Sequence, residues 1–245
     1  MLLKSWTMED LPTKDSEKKI LDNWKLELPQ GNATQRTTKG NDKEDRKWIA
    51  PPTNSYKLNF DGASKGNPGP AGYGGIIRNH KGNTIQIYFD NIGWDTNNSA
   101  ELEGLWQGLL EAKRQNLQPL IVEGDSQIII SMVIRIHNGS QTRKVADSWR
   151  LEARLHNIAQ ELHNHRALSF HHSRRERNKV ADLLANIGVE SHHPFQAGNL
   201  DIIPSPQQIQ ECKKLLQSDT DSPVVGDSRN QWAEPHGNHV TPHAN

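Results

Sequence analysis

"KLNFDGASKGNPGPAGYGGIIRN", Lys57 to Asn79, decides the fold. With Tyr56 before it, the stretch opens on an alternation: Tyr56, Leu58 and Phe60 on one side, Lys57, Asn59 and Asp61 on the other. That is the period of a strand with one apolar face. Asp61 ends the run and is followed at once by Gly, Asn and Pro, the ordinary turn residues, so on its own the stretch reads as a hairpin whose Asp begins a turn. "GYGGIIRN" and "NTIQIYFDNI" follow as two further strands with a turn at "NHKGN" between them, and the three form an antiparallel meander.

Working outward, "TNNSAELEGLWQGLLEAKRQ" reads as a helix capped by Asn98 or Ser99, with Leu102, Leu105, Leu109 and Ala112 at helical spacing. "PLIVEG" is a short apolar run, as expected of a strand buried on both faces. "DSQIIISMVIRIH" follows as a helix capped by Asp125. An amphipathic helix spans roughly Val145 to His163, "ALSFHH" is a fifth strand, and "RNKVADLLANIGVE" is a last helix. The order β-β-β-α-β-α-α-β-α predicts a mixed α/β fold, a five-stranded mixed sheet flanked by helices.

The 245 residues hold one domain plus extensions, because a hydrophobic fraction of 33% is low for a chain that is core throughout. Residues 1–52 are polar without apolar periodicity and read as a mostly disordered extension, in which Ser16 to Leu28 can form a short helix and Trp48 with Pro51 and Pro52 leads into the fold. Residues 53–190 form the domain. Residues 191–245 read as a mostly disordered tail in which "PSPQQIQECKKLLQS" makes a helical turn or two, and its histidines lack ligand spacing on a regular element.

The single cysteine, Cys212, excludes an internal disulfide and a Cys-based zinc site, which fits a reducing, intracellular compartment. No apolar stretch approaches the roughly 20 residues of a membrane span, and the N-terminus lacks the apolar region of a secretory signal. A monomer is expected. The charge is zero overall, and residues 53–190 carry 16 basic against 14 acidic side chains. Committing four of those acids to metal ions would leave the rest of the segment distinctly basic, with Arg174, Arg175 and Arg177 clustered beside one of them.

Four acids fall at corresponding ends of the expected elements. Asp61 ends the first strand, Glu101 lies in the first turn of the first helix, Asp125 follows the buried strand, and Asp182 lies in the first turns of the last helix. Such ends are where α/β sheets gather ligand sites. Singly, each suits a cap or the positive end of a helix dipole. Together they would repel one another without cations, so their convergence implies bound metal. Oxygen-only ligands favour a hard divalent ion, Mg²⁺ or Mn²⁺. Two such ions about 3.5–4 Å apart clamp the attacking and leaving oxygens of phosphodiester cleavage.

"NFDGASKGNPGPAGYGGIIR", "TNNSAELEGL", "VEGDSQ" and "HHSRRERNKVADLLA", in this order and spacing, resemble type-1 ribonuclease H. The variety is similar to that of plant retroelement-derived, reverse-transcriptase-like proteins, where a "W-PP" lead-in precedes "KLNFDGASKGNPG". The resemblance spans roughly Lys57 to Val189. It implies a two-metal endonuclease acting on the RNA strand of RNA·DNA hybrids. Asp61 would bridge both ions, Glu101 and Asp125 would complete the ion on the leaving-group side, and Asp182 with Asp61 would hold the ion that activates water. His172 falls where the family places a mobile His that assists proton transfer or release; His171 would point to the opposite face.

The resemblance also implies substrate contacts. A ribonuclease H must sense the 2′-OH. Gly66 lets the backbone approach a ribose, Asn67, Asn97, Asn98 and Gln127 match positions that contact the minor groove, and Asn178 joins these candidates. Two departures stand out. The connection after Asp125 lacks the basic, Trp-bearing handle of some family members, and Glu123 shares strand parity with Asp125 and could crowd the site or substitute as a ligand. Glu103, Asp90, Asp95 and Glu176 read as surface or capping residues. The alternative to the enzyme is a catalytically silent nucleic-acid-binding remnant of the same fold, which would need none of the four acids. A tethering domain of a reverse transcriptase fits less well, as no polymerase segment precedes the domain.

Overall fold

Three long strands build the sheet around the opening stretch: β1 (Tyr56–Ser64), β2 (Gly69–Asn79) and β3 (Thr84–Asp95). They form the expected antiparallel meander, with Leu58 opposite Ile77 and Ile76 opposite Ile87. The structure is a computed structural model and describes residues 47–220 other than Asp147 and Arg166. The expected N-terminal helix at Ser16 to Leu28 and the end of the tail lie outside the described residues.

α1 (Asn97–Arg114) follows β3, and β4 (Leu120–Gly124) then pairs parallel to β1. α2 (Gln127–His137) and α3 (Trp149–Leu162) precede β5 (Leu168–His172), which pairs parallel to β4, and α4 (Lys179–Glu190) follows. Antiparallel and parallel pairings together make the mixed sheet.

Two expectations are corrected beyond residue 190. Gln196–Gly198 forms a short strand, β6, antiparallel to β3, so the sheet has six strands in the order β5-β4-β1-β2-β3-β6 rather than five. Pro206–Thr220 forms a full helix, α5, where only a helical turn or two was expected. It holds because Ile209, Cys212, Leu215 and Leu216 fall on one stripe and pack with Ile203 against Val180, Leu184 and Ile187 of α4.

The core therefore lies on both faces of the sheet. On one face Leu102, Leu105 and Leu109 of α1 meet Leu58, Phe60 and Tyr88, with α2 and α3 beside them. Each such side chain, fully buried, contributes about 1.5–3 kcal/mol. On the other face α4 and α5 cover Ile76, Ile87 and Phe89.

That second face also carries a buried polar network. Lys57 is 0% exposed and its Nζ lies 2.5 Å from Glu123 Oε1, while it also donates to the Ile49 carbonyl at 2.7 Å. Asn59 Oδ1 accepts from Trp48 Nε1 at 2.8 Å and from Arg78 Nη2 at 3.1 Å. Arg78 stacks 3.6 Å from the Trp48 ring centroid and pairs with Asp219 of α5 at 2.6 Å. Buried charges persist only when paired, so this network ties the lead-in, three strands and the last helix together.

The caps differ from expectation by one to three residues. Thr96, not Asn98 or Ser99, caps α1 and accepts from Ser99 N. Ser126, not Asp125, caps α2. That shift frees the Asp125 carboxylate from capping. α3 begins at Trp149, after a 3₁₀ turn at Thr142–Lys144, rather than at Val145.

Candidate active site

Asp61, Glu101 and Asp125 come from three elements far apart in sequence, and each offers an oxygen lying within 4.8 Å of the others. The approach depends on two glycines. A Cβ on Gly62 would stand 2.2 Å from Glu101 N, and one on Gly104 would stand 2.8 Å from Asp61 O. Without side chains at both, β1 and α1 touch backbone to backbone, which sets Asp61 beside Glu101. Glu101 sits one turn deeper in α1 than expected, since the helix starts at Asn97.

Burial and like charge together outweigh the pull of Arg175 in this cluster. Burial, then the charges of Asp125 and Asp182, pushes the Asp61 carboxyl well above the usual carboxylate range, against the pull of the Gly62 N–H at 2.8 Å and of Arg175. Burial, then Asp61 and Asp125, does the same to Glu101, and burial raises Asp125, with Arg175 opposing and Asp182 adding to the rise. Glu101 Oε2 is buried and has no hydrogen-bond partner. A polar atom costs free energy in that state, and a hard cation is the partner an all-carboxylate donor set suits.

Asp182, in the first turn of α4, is the most exposed of the four expected acids. It stands beside the cluster rather than within the tight group of three, and both Asp61 and Asp125 feel its charge. It also lines a cleft of about 560 Å³ between α4 and α5, with Lys179 and Asn186 on the near wall and Glu211 and Leu215 on the far one.

In the sequence Arg175 stands out only as part of a basic cluster with Arg174 and Arg177. The structure extends its guanidinium, 79% exposed, to 3.6 Å from Asp182 Oδ1 and 4.0 Å from Asp125 Oδ2. The signal was its place seven residues before Asp182, in the turn leading into α4.

His172 Nε2 lies 3.0 Å from the Asp125 carbonyl oxygen, so the exposed ring stands next to the carboxylates. His171 lies off this cluster, half-buried, where burial lowers its pKa and Glu123 and Lys57 are the charges it feels. Glu123 does not join the site: Lys57 holds one oxygen and Asn59 Nδ2 lies 3.3 Å from the other. It therefore does not crowd the three clustered carboxylates.

The expected substrate contacts divide. Gly66 (φ +111°), Asn67 and Gln127 are exposed, and Asn97 and Asn98 are half-exposed. Asn67 Oδ1 accepts from Asn97 N at 3.0 Å and Asn97 Nδ2 lies 3.4 Å from Glu101 Oε1, which joins the loop after β1 to the start of α1. Gln127 Nε2 donates to Ser131 at 3.1 Å. Asn178 is corrected: it is 1% exposed and donates to the Phe60 carbonyl at 2.9 Å, so it pins the strand that delivers Asp61 instead of facing outward. Of the acids set aside, Asp95 caps Thr96 N and pairs with Arg154 at 2.9 Å, Glu103 pairs with Arg154 at 3.1 Å, Asp90 caps Asn91, and Glu176 is exposed.

Among known proteins, the reverse transcriptase-like family matches residues 59–188. A ribonuclease H of Pseudomonas savastanoi pv. phaseolicola is 35% identical over 152 residues, covering 56% of this chain and 95% of its own. An Arabidopsis thaliana protein, provisionally named a ribonuclease H protein, is 30% identical over 173 residues, covering 71% of this chain; the chain spans only 26% of that relative's length. The crystal structure of RNase H1 from the archaeon Halobacterium salinarum aligns over 56% of this chain and 98% of its own, with 29% identity and a TM-score of 0.49.

Proposed function

The chain belongs to the ribonuclease H family through a reverse transcriptase-like domain, and on that premise we propose that it is a metal-dependent endonuclease hydrolysing the RNA strand of RNA·DNA hybrids, leaving 5′-phosphate and 3′-OH ends. The observation that carries this is the buried meeting of Asp61, Glu101 and Asp125, whose mutual repulsion and orphaned Glu101 oxygen call for divalent cations. A nucleic-acid partner and Mg²⁺, with Mn²⁺ as a substitute, follow from that chemistry.

Asp61, Glu101, Asp125 and Asp182 would hold two ions, whose chemistry is to lower the pKa of water and to neutralise charge on the leaving oxygen. The chain's own contribution is positioning. Gly62 and Gly104 lock Asp61 against Glu101, and Asn178 fixes β1 at Phe60, the residue before Asp61. Water adds to phosphorus, the bond to the 3′ oxygen breaks, and that oxygen takes a proton. His172, exposed and next to Asp125, is placed to move it. Arg175 reaches the same carboxylates from a solvent-exposed turn and brings positive charge where the phosphate must approach. Gly66, Asn67, Asn97, Asn98 and Gln127 border the carboxylates as contacts for the minor groove, where the 2′-OH is read.

The test is incubation of the full chain with a hybrid labelled on its RNA strand, with and without Mg²⁺, beside Asp61→Asn. Mg²⁺-dependent RNA cleavage, absent from the variant and absent on DNA duplexes, is expected. Retained binding with no cleavage would point instead to a silent binding module.

A further inference from the structure

Lys179 is the first residue of α4, three residues before Asp182. It is exposed and, among the described residues, forms no ion pair. The first turn of a helix favours acids over cations, so the position serves the helix poorly. Lys113 and Arg114 show the opposite case: they stand in the last turn of α1, where the dipole favours them, and each pairs with a carboxylate. A cation that breaks a local rule, with no partner inside the fold, points to a partner outside it.

Its surroundings indicate which partner. Lys179, Asp182 and Asn186 recur at helical spacing on one face of α4, and with Arg175 they line the cleft of about 560 Å³ whose far wall carries Glu211 and Leu215 of α5. That far wall lies beyond residues 59–188, the span shared with the family. Arg175 is engaged at 3.6 Å by Asp182 and at 4.0 Å by Asp125, whereas the Lys179 ammonium meets no carboxylate.

Lys179 and Asp182 are about 4.5 Å apart along the helix axis. A nucleic-acid strand carries one phosphate per roughly 3.4 Å of its axis. A strand with its scissile phosphate at the carboxylates brings the neighbouring phosphate within reach of the flexible Lys179 stem. We propose that Lys179 is a further substrate-binding residue: it holds the RNA-strand phosphate next to the one cut, on the Asp182 side, and leads the strand along the mouth of the cleft. An ammonium meets a phosphate as a point charge and reads no base, so this contact is independent of sequence.

The inference rests on the hybrid-nuclease reading of the neighbouring site, and the test separates the two. Binding of a labelled hybrid to the full chain and its Lys179→Ala and Lys179→Arg variants is measured in EDTA over a range of salt. Lys179→Ala should reduce the slope of log affinity against log salt by about one, and Lys179→Arg should keep it. In Mg²⁺ the Ala variant should show a raised KM with kcat little changed. Its melting temperature should be unchanged or higher, since the cation opposes the helix dipole. Lys179→Cys carrying a photo-crosslinker, selective because Cys212 is buried, should join the RNA strand. An unchanged salt slope, or crosslinks confined to the DNA strand, would overturn the contact. So would a lower melting temperature in both Lys179→Ala and Glu211→Gln, which would make Lys179 one half of an ion pair across the cleft. If the unmodified protein binds the hybrid and leaves its RNA intact in Mg²⁺, while Lys179→Ala still reduces the slope, the nuclease reading falls and the phosphate contact stands.

Discussion

β1 carries two buried polar sites only a few residues apart, at Lys57 and Asn59 and again at Asp61. Near the strand's start, Lys57 and Asn59 meet Glu123, and each charge has an opposite charge or a hydrogen-bond donor. At Asp61, Glu101 and Asp125 close in, with Arg175 reaching over from solvent. The first site is complete in itself and holds the fold together. The second is left with like charges facing one another, an arrangement that serves stability poorly and suits a site made for cations.

The contrast can be broken most severely at the complete site. Glu123→Ala leaves Lys57 buried without its carboxylate and should cost about 3–5 kcal/mol, read as a lower denaturation midpoint, while the surviving folded protein still cleaves. At the incomplete site the sign reverses. Asp61→Asn should raise the melting temperature of the metal-free protein at neutral pH by about 2–4 °C for each kcal/mol relieved. The carboxyls there have raised folded pKa values, so the folded chain holds protons that the unfolded chain releases. Metal-free stability is therefore full below the ordinary carboxylate range and falls as pH rises through the raised folded values, and Mg²⁺ should restore it.

A smaller effect sharpens the role of Arg175. Its charge competes with divalent ions for Asp125 and Asp182, so Arg175→Ala should lower the Mg²⁺ concentration giving half-maximal binding, measured by calorimetry. An unchanged or raised midpoint would show that the guanidinium does not screen the cluster.

The smallest effect lies away from both sites. His165 is buried with its Nε2 3.2 Å from the Leu109 carbonyl, and burial lowers its pKa below the ordinary 6.5. Its contribution to stability is present above pH 6.5 and is lost as pH falls through the folded value, at no more than about 1.4 kcal/mol per pH unit. Chemical denaturation between pH 7 and 5 checks this, and His165→Gln should flatten the slope.

Strand alternation and helical spacing made the meander and the leucine stripe of α1 legible, because both depend on local periodicity. The four acids were legible as a set through the motifs around them and not through element ends, since β1 runs on past Asp61 to Ser64 and Glu101 lies beyond the first turn of α1. Glu123 was misjudged because its partner lies 66 residues away, and only the parallel register of β1 with β4 brings Lys57 to it. β6 escaped notice because three residues carry no pattern. α5 read as a turn or two because its short apolar stripe is set in polar sequence. Asn178 looked like a surface contact since Asn favours loops, and nothing local shows that its amide turns inward to Phe60.

The central claim, that the incomplete cluster is a metal centre for RNA hydrolysis, is tested most directly by cleavage of an RNA·DNA hybrid labelled on its RNA strand, with Mg²⁺ titrated against wild-type protein and Asp61→Asn. Mg²⁺-dependent RNA cleavage by the wild type, and none by the variant, is expected. Cleavage that survives Asp61→Asn, or wild-type protein that binds the hybrid and leaves the RNA intact at every Mg²⁺ concentration, would contradict it.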